Sequence, residues 1–327
     1  MKSSTVSCGV TAFLLLALAS SSLAQGIALD THCRASFATL EAARQILTNR
    51  DDFISALSPF DRAARMKTDR AVTEKEFLEF AGKNAVSWLP DETNRATATL
   101  QTVRQKLSPW NLPSPAEIPL IKTSGLEEGN ASYTRQNAIL IAQKELRSPG
   151  HGLEGLIIHE LFHVLSRQNP DLRARLYGIL GFARINEIPY PGDLAPRKIT
   201  NPDGVQTGWA ITVTNQNESL AAVPILFATT PQYDLKKGGE FFDYLTFKLL
   251  VVSNQGAAWA PKLTDGKPRL LDPPEAKGFL EQIGGNTDYI IHPDEILAVN
   301  FVHMVNGETN LATPRIVDEM RKVLRQR

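Results

Sequence analysis

Apolar residues recur at helical spacing from about Thr31 to Leu107, as in "FATLEAARQILT" and "DFISALSPFDRAARM". Thr73 and Glu76 form a T-x-x-E capping box ahead of "FLEFAGKNAVSWL", so the spacing predicts a helical lead-in over residues 25–110. The Pro-rich stretch "SPWNLPSPAEIP" (Ser108 to Pro119) breaks that pattern, and "LIKTSG" and "ASYTRQNAILIA" then read as two short strands. After a turn at "SPGHG", a helix of roughly seventeen residues runs from about Gly152 to the break at Asn169 and Pro170, and "DLRARLYGIL" supplies a second helix. Between about Asn186 and Thr230 the chain is rich in Pro, Gly and Asn. "WAITVT" and "VPILFATT" are strand candidates there, and "RKITNPDGV" reads as a loop. Helical spacing returns in "GEFFDYLTFKLLVV", "AKGFLEQI", "HPDEILAVNFVHMV" and "TPRIVDEMRKVLRQR", the last with Pro314 at a favoured first helical position. The pattern as a whole predicts an α+β fold, mainly helical, with a small sheet preceding the helix that starts near Gly152.

Composition narrows the class of protein. With 43% hydrophobic and 21% charged residues in 327, the chain suits a packed core rather than disorder. Lys plus Arg and Asp plus Glu number 35 each, so no net charge draws the molecule to nucleic acid or anionic lipid, and neither is expected as a partner. At the N-terminus, Lys2 precedes the apolar run "TAFLLLALA" (Thr11 to Ala19), which is too short to span a bilayer, and "SSLAQ" offers small residues for cleavage after Ala24. Residues 1–24 therefore read as a signal peptide and residues 25–327 as one exported domain, periplasmic or secreted, with no membrane role beyond the leader. Cleavage there would also remove Cys8, and Cys33 alone then has no internal disulfide partner. Cys33 lies in the helix-like segment "CRASFATLEAARQIL" and is expected to pack rather than react.

The chemistry sits in "HGLEGLIIHELFHVLSRQNP", His151 to Pro170. Residues four apart share a helix face with Cβ atoms roughly 6 Å apart, so His159 and His163 can turn ring nitrogens toward a single ion. Glu160 lies about 100° further round, beside such an ion rather than on it, where a carboxylate can act as a general base. The flanking Leu156, Ile157, Leu161, Phe162, Val164 and Leu165 would bury the helix and hold both imidazoles. This H-E-x-x-H in an apolar helix resembles the zincin metallopeptidases, a resemblance that covers some thirty residues. It implies a zincin-like fold, one Zn²⁺ per chain, His159 and His163 as metal ligands and Glu160 as the catalytic base.

A catalytic zinc site needs a third protein ligand. Ser166 and Asn169 stand where the metzincin pattern requires Gly and His, so that branch does not fit. In "YIIHPDEILAVNF", Glu295 resembles the glutamate that gluzincins supply from a downstream helix; Asp294, His292 and His303 are the alternatives. Four places on, where that branch commonly has an aspartate that orients a zinc-bound histidine, this chain has Val299, with Asn300 next to it. The orienting group is thus expected to be Asn300 or a residue from elsewhere. Tyr289, His292 and Tyr133 are candidate transition-state donors, and "ASYTRQNAILIA" is the candidate edge strand for an extended substrate. The resulting expectation is an exported zinc metallopeptidase of bacterial type acting on peptides or proteins. An amidase or esterase, or a non-catalytic zinc-binding protein, are the alternatives, and the sequence sets no oligomeric state.

Overall fold

A computed structural model describes residues 26–147 and 152–325. The leader expected at 1–24, and the turn before the HELFH helix together with His151, lie outside the described residues. The strands are β1 (Ile27–Ala28), β2 (Arg34–Phe37), β3 (Glu117–Thr123), β4 (Tyr133–Arg135), β5 (Ala138–Ala142), β6 (Phe182–Arg184), β7 (Trp209–Asn215), β8 (Glu218–Ala228), β9 (Leu245–Asn254), β10 (Trp259–Pro261), β11 (Leu263–Thr264), β12 (Lys267–Pro268) and β13 (Leu270–Leu271). The helices are α1 (Leu40–Thr48), α2 (Asp52–Ala56), α3 (Pro59–Arg65), α4 (Glu74–Lys83), α5 (Pro90–Leu107), α6 (Gly152–Gln168), α7 (Pro170–Ile179), α8 (Phe279–Ile283), α9 (Pro293–Asn306) and α10 (Pro314–Arg325).

The first sheet has the order β1-β2-β3-β5-β4. Its three inner strands run parallel, and β1 and β4 are antiparallel edges. All five residues of β5, Ala-Ile-Leu-Ile-Ala, are buried, the continuous apolar run that a strand covered on both faces requires. The lead-in is not purely helical, because Cys33 is followed by strand β2 rather than by a helix, and β2 is an inner member of this sheet. Two side-chain contacts join early and late segments of it: Ser36 Oγ donates to Glu117 Oε1 at 2.7 Å, and the buried Lys122 on β3 meets both oxygens of Glu92 on α5 at 2.7 and 2.6 Å. Cys33 is a buried free thiol whose pKa is pushed up to about 12 by burial and by Asp30, so it packs rather than reacts.

A second sheet, β10-β9-β8-β7-β6 with β13 also on β9, follows α7 and is antiparallel throughout. The sheet content is therefore not confined to the region before α6. The segment "GEFFDYLTFKLLVV", expected as a helix, is a 3-10 turn at Phe241–Tyr244 followed by β9. Its Leu249–Val252 run is buried on both faces of a central strand, and over so short a span such a run has the same apolar spacing as a helix.

Helix α6 packs against α9, α5 and α7. Ile157, Ile158, Phe162, Val164 and Leu165 sink into the largest core cluster, where Phe162 meets Phe301 of α9 at 5.5 Å between ring centroids. Asn169 ends α6: its side chain donates to the otherwise open carbonyl of Leu165 at 2.8 Å, and Pro170 begins α7.

Candidate metal centre

His159 and His163 stand one turn apart on α6, their rings 4.7 Å apart at 77°. Opposite them, α9 begins with His292 as N-cap and Pro293 at its first position, which places Asp294 and Glu295 in the first turn facing α6. Glu295 Oε2 lies 3.1 Å from His159 Nε2 and 3.4 Å from His163 Nε2. Donor atoms on a tetrahedral zinc, each about 2.1 Å from the ion, are about 3.4 Å apart, so these separations suit three ligands of one metal. His163 and Glu295 are buried, whereas the His159 side chain keeps 21% of its exposure and opens on the cleft.

Two observations test whether the residues fit a cation. His163 Nε2 and Glu160 Oε2 are fully buried and have no hydrogen-bond partner in the chain. His163 Nδ1 donates to Asp294 Oδ2 at 2.7 Å, and Asp294 Oδ1 accepts from Ser166 Oγ at 2.5 Å and Tyr177 OH at 2.7 Å. A ring held through Nδ1 by a carboxylate turns its other nitrogen to the cluster, where a cation could take the place of the Nε2 proton. The set of two imidazoles and one carboxylate, with an orphaned nitrogen aimed inward, can hold a metal ion.

The electrostatics agree. Burial works against the charge on His163, but Asp203, Glu295 and Asp294 together raise its pKa well above the usual histidine range. Against the upward push of burial, His163 and His159 hold Glu295 well below the ordinary carboxylate range, and His163 and then His292 lower Asp294. Glu160 goes the other way, raised well above its ordinary value by burial first and then by Asp203. The site is thus built to hold positive charge among carboxylates, with a proton acceptor of raised basicity at its side.

The remaining candidates divide. Tyr133 and Tyr289 line the same small cleft, about 110 Å³, as His159, Glu160 and Glu295; Tyr133 is buried with its hydroxyl 3.5 Å from Glu127 Oε1, and Tyr289 is exposed at the rim. His292 is turned away: its Nδ1 accepts the Asp294 N–H at 3.2 Å, its Nε2 donates to Gln206 O at 3.4 Å and its ring packs on Tyr177. Asn300 does not orient a site histidine. It donates to Ile296 O and accepts from Asn286, and the orienting carboxylate is Asp294, immediately before Glu295 instead of four places after it. His303 pairs with Glu308, and His32 is exposed.

Sequence reasoning missed what the "RKITNPDGV" loop brings in. Asn201 Nδ2 donates to Glu295 Oε1 at 2.7 Å, and an Asp203 oxygen lies within 4.8 Å of donor atoms of Glu160 and His163. An aperiodic polar loop carries no spacing that points to a partner. Ser166, by contrast, three residues after His163 on one helix face, was within reach of the helical rule. No protein-family model matches the chain, and neither does any curated protein or any solved structure.

Proposed function

We propose that this chain is an exported, zinc-dependent hydrolase of peptide bonds, similar to the gluzincins, with His159, His163 and Glu295 as ligands and Glu160 as general base. The observation that carries the reading is the convergence of three donor atoms at 3.1 and 3.4 Å, with the buried, unpartnered Oε2 of Glu160 beside them. A zinc ion held there would supply Lewis acidity, which polarises a scissile carbonyl and makes water acidic near neutral pH. Glu160 Oε2, beside the attacking water, would take its proton and return it to the leaving amine nitrogen. Asp294, fixed by Ser166 and Tyr177, keeps His163 in the tautomer with Nε2 free. Tyr133 and Tyr289 are the hydroxyl groups on the cleft available to a developing oxyanion.

The apolar stretch from Thr11 to Ala19, between Lys2 and "SSLAQ", supports export to the periplasm or medium, with peptides or proteins as substrates. No helix among the described residues is long and apolar enough to cross a membrane.

The experiment is bound zinc by mass spectrometry, together with peptide hydrolysis, on wild type and Glu160→Gln. The expected result is one zinc per chain in both and a loss of hydrolysis of about 10²–10⁴-fold in the variant. A Glu160→Gln protein as active as wild type would sink the mechanism, and a wild type that takes up no zinc would sink the function.

A further inference from the structure

The segment 200–207 is held at both ends. Thr200 donates its N–H to Asp61 Oδ1 at 3.0 Å and its hydroxyl to Asp61 Oδ2 at 2.8 Å, and its carbonyl accepts from buried Arg65 at 2.9 Å. Next, Asn201 reaches Glu295, and Pro202 O accepts from Arg167 at 3.0 Å. Asp203 Oδ1 then accepts the N–H of Thr134 at 2.9 Å and also the Thr134 hydroxyl. Thr134 is the middle residue of β4, an edge strand paired with β5 alone. Its N–H, turned away from β5, is where an added strand would place a carbonyl oxygen. The Asp203 carboxylate fills that position.

Beyond Asp203 the segment is tied again: Gln206 O accepts from His292 Nε2 at 3.4 Å, Thr207 donates its N–H to Glu187 Oε2 at 2.7 Å, and Thr207 Oγ1 accepts from Ile188 N at 3.1 Å. Gly204 to Gln206 border a cavity of about 270 Å³, and Val205 to Thr207 border another of about 460 Å³. The cleft over the histidines has only about 110 Å³, whereas sites that bury a small ligand usually offer about 300 Å³ or more. A segment anchored at Thr200 and Thr207, hydrogen-bonded across a sheet edge between them and backed by open space, has a place to go.

We propose that residues 201–207 form a strap that closes the cleft by occupying the β4 edge, and that an extended peptide displaces it. The peptide backbone takes over the Thr134 N–H while the middle of the strap withdraws toward the cavities behind it, hinged at Thr200 and Thr207. This rests on the metallohydrolase reading for the nature of the displacing ligand. It goes beyond that reading in making the present arrangement the self-closed one, with Asp203 as stand-in for a substrate carbonyl.

The test uses the full exported chain loaded with zinc, a leucyl peptide hydroxamate as probe, and hydrogen exchange read by mass spectrometry. On probe binding, wild type should exchange the 201–207 amides about tenfold faster while Thr134 stays protected, since one hydrogen-bonded partner replaces another. Asp203→Ala should bind the probe about tenfold more tightly, the factor for one charge-assisted hydrogen bond that no longer has to be broken, and its Thr134 amide should exchange faster when no probe is present. Slower exchange over 201–207 on binding, or weaker binding by Asp203→Ala, makes the segment part of the binding floor and overturns the strap. The wild-type arm holds even if the variant folds poorly. A chain that takes up no zinc overturns the metallohydrolase reading and the strap with it, whereas a zinc-loaded chain whose strap stays put overturns the strap alone.

Discussion

Both nitrogens of His163 are committed inside a buried site, Nδ1 to Asp294 and Nε2 toward His159 and Glu295. Asp294 accepts three hydrogen bonds, which only a carboxylate can do in this arrangement. An amide placed there accepts on one side only, so Asp294→Asn takes an acceptor either from His163 or from Ser166 and Tyr177. The expected result is zinc affinity lowered about 10–100-fold with the fold retained, read by chelator competition. Glu127 offers a pH test away from the ligands. Burial raises its pKa from 4.5 to about 7, and its Oε2 is buried without a partner. Below pH 4.5 it is neutral in both folded and unfolded chains and costs nothing. Between 4.5 and 7 the unfolded chain ionises first, so stability falls as pH rises, and above 7 the loss levels off near about 3 kcal/mol. Glu127→Gln should remove that slope and be the more stable protein at pH 8, as measured by urea midpoints across pH. At this scale the spacing on one helix singled out His159, Glu160 and His163, and the resemblance to a glutamate on a downstream helix pointed to Glu295. Asn201 and Asp203 stayed hidden because their partners are set by topology, not by distance along the chain.

Among the elements, α6 and α9 were legible because strong periodicity and terminal signals agreed: Asn169 and Pro170 close one helix, and His292 and Pro293 open the other. The strand β9 was not, since a two-sided buried run has no polar face to reveal its period. The joint between α3 and the 200–207 segment was equally invisible, although it is the most buried charged group described. Arg65 contacts Asp61 at 2.6 Å and holds Glu128 through two bonds at 2.6 and 2.8 Å, with its guanidinium 4.1 Å from the Phe241 ring centroid. Removing one partner of such a pair leaves the others charged and dry. Arg65→Ala should therefore destabilise the chain by about 3–5 kcal/mol, seen as a lowered urea midpoint.

At the scale of the whole molecule, the α+β class could be read from the chain, but the arrangement of the strands could not. The lead-in looked like an appendage of helices before a catalytic region. Instead β2 lies inside the first sheet between β1 and β3, and α5 packs on α6. Residues 26–107 are thus part of the structure that supports α6. A chain starting at 108 is expected to lack a cooperative unfolding transition by circular dichroism and to be rapidly degraded in limited proteolysis. The same parallel pairing has a consequence in time. Five helices separate β2 from β3, so a polypeptide emerging N-terminus first presents β2, paired only with the two residues of β1, with its other edge open until β3 appears, and closing so long a loop is slow. The first sheet cannot form before the middle of the chain has been made, and until then a newly synthesised chain keeps its early strands without the partners that would lock them.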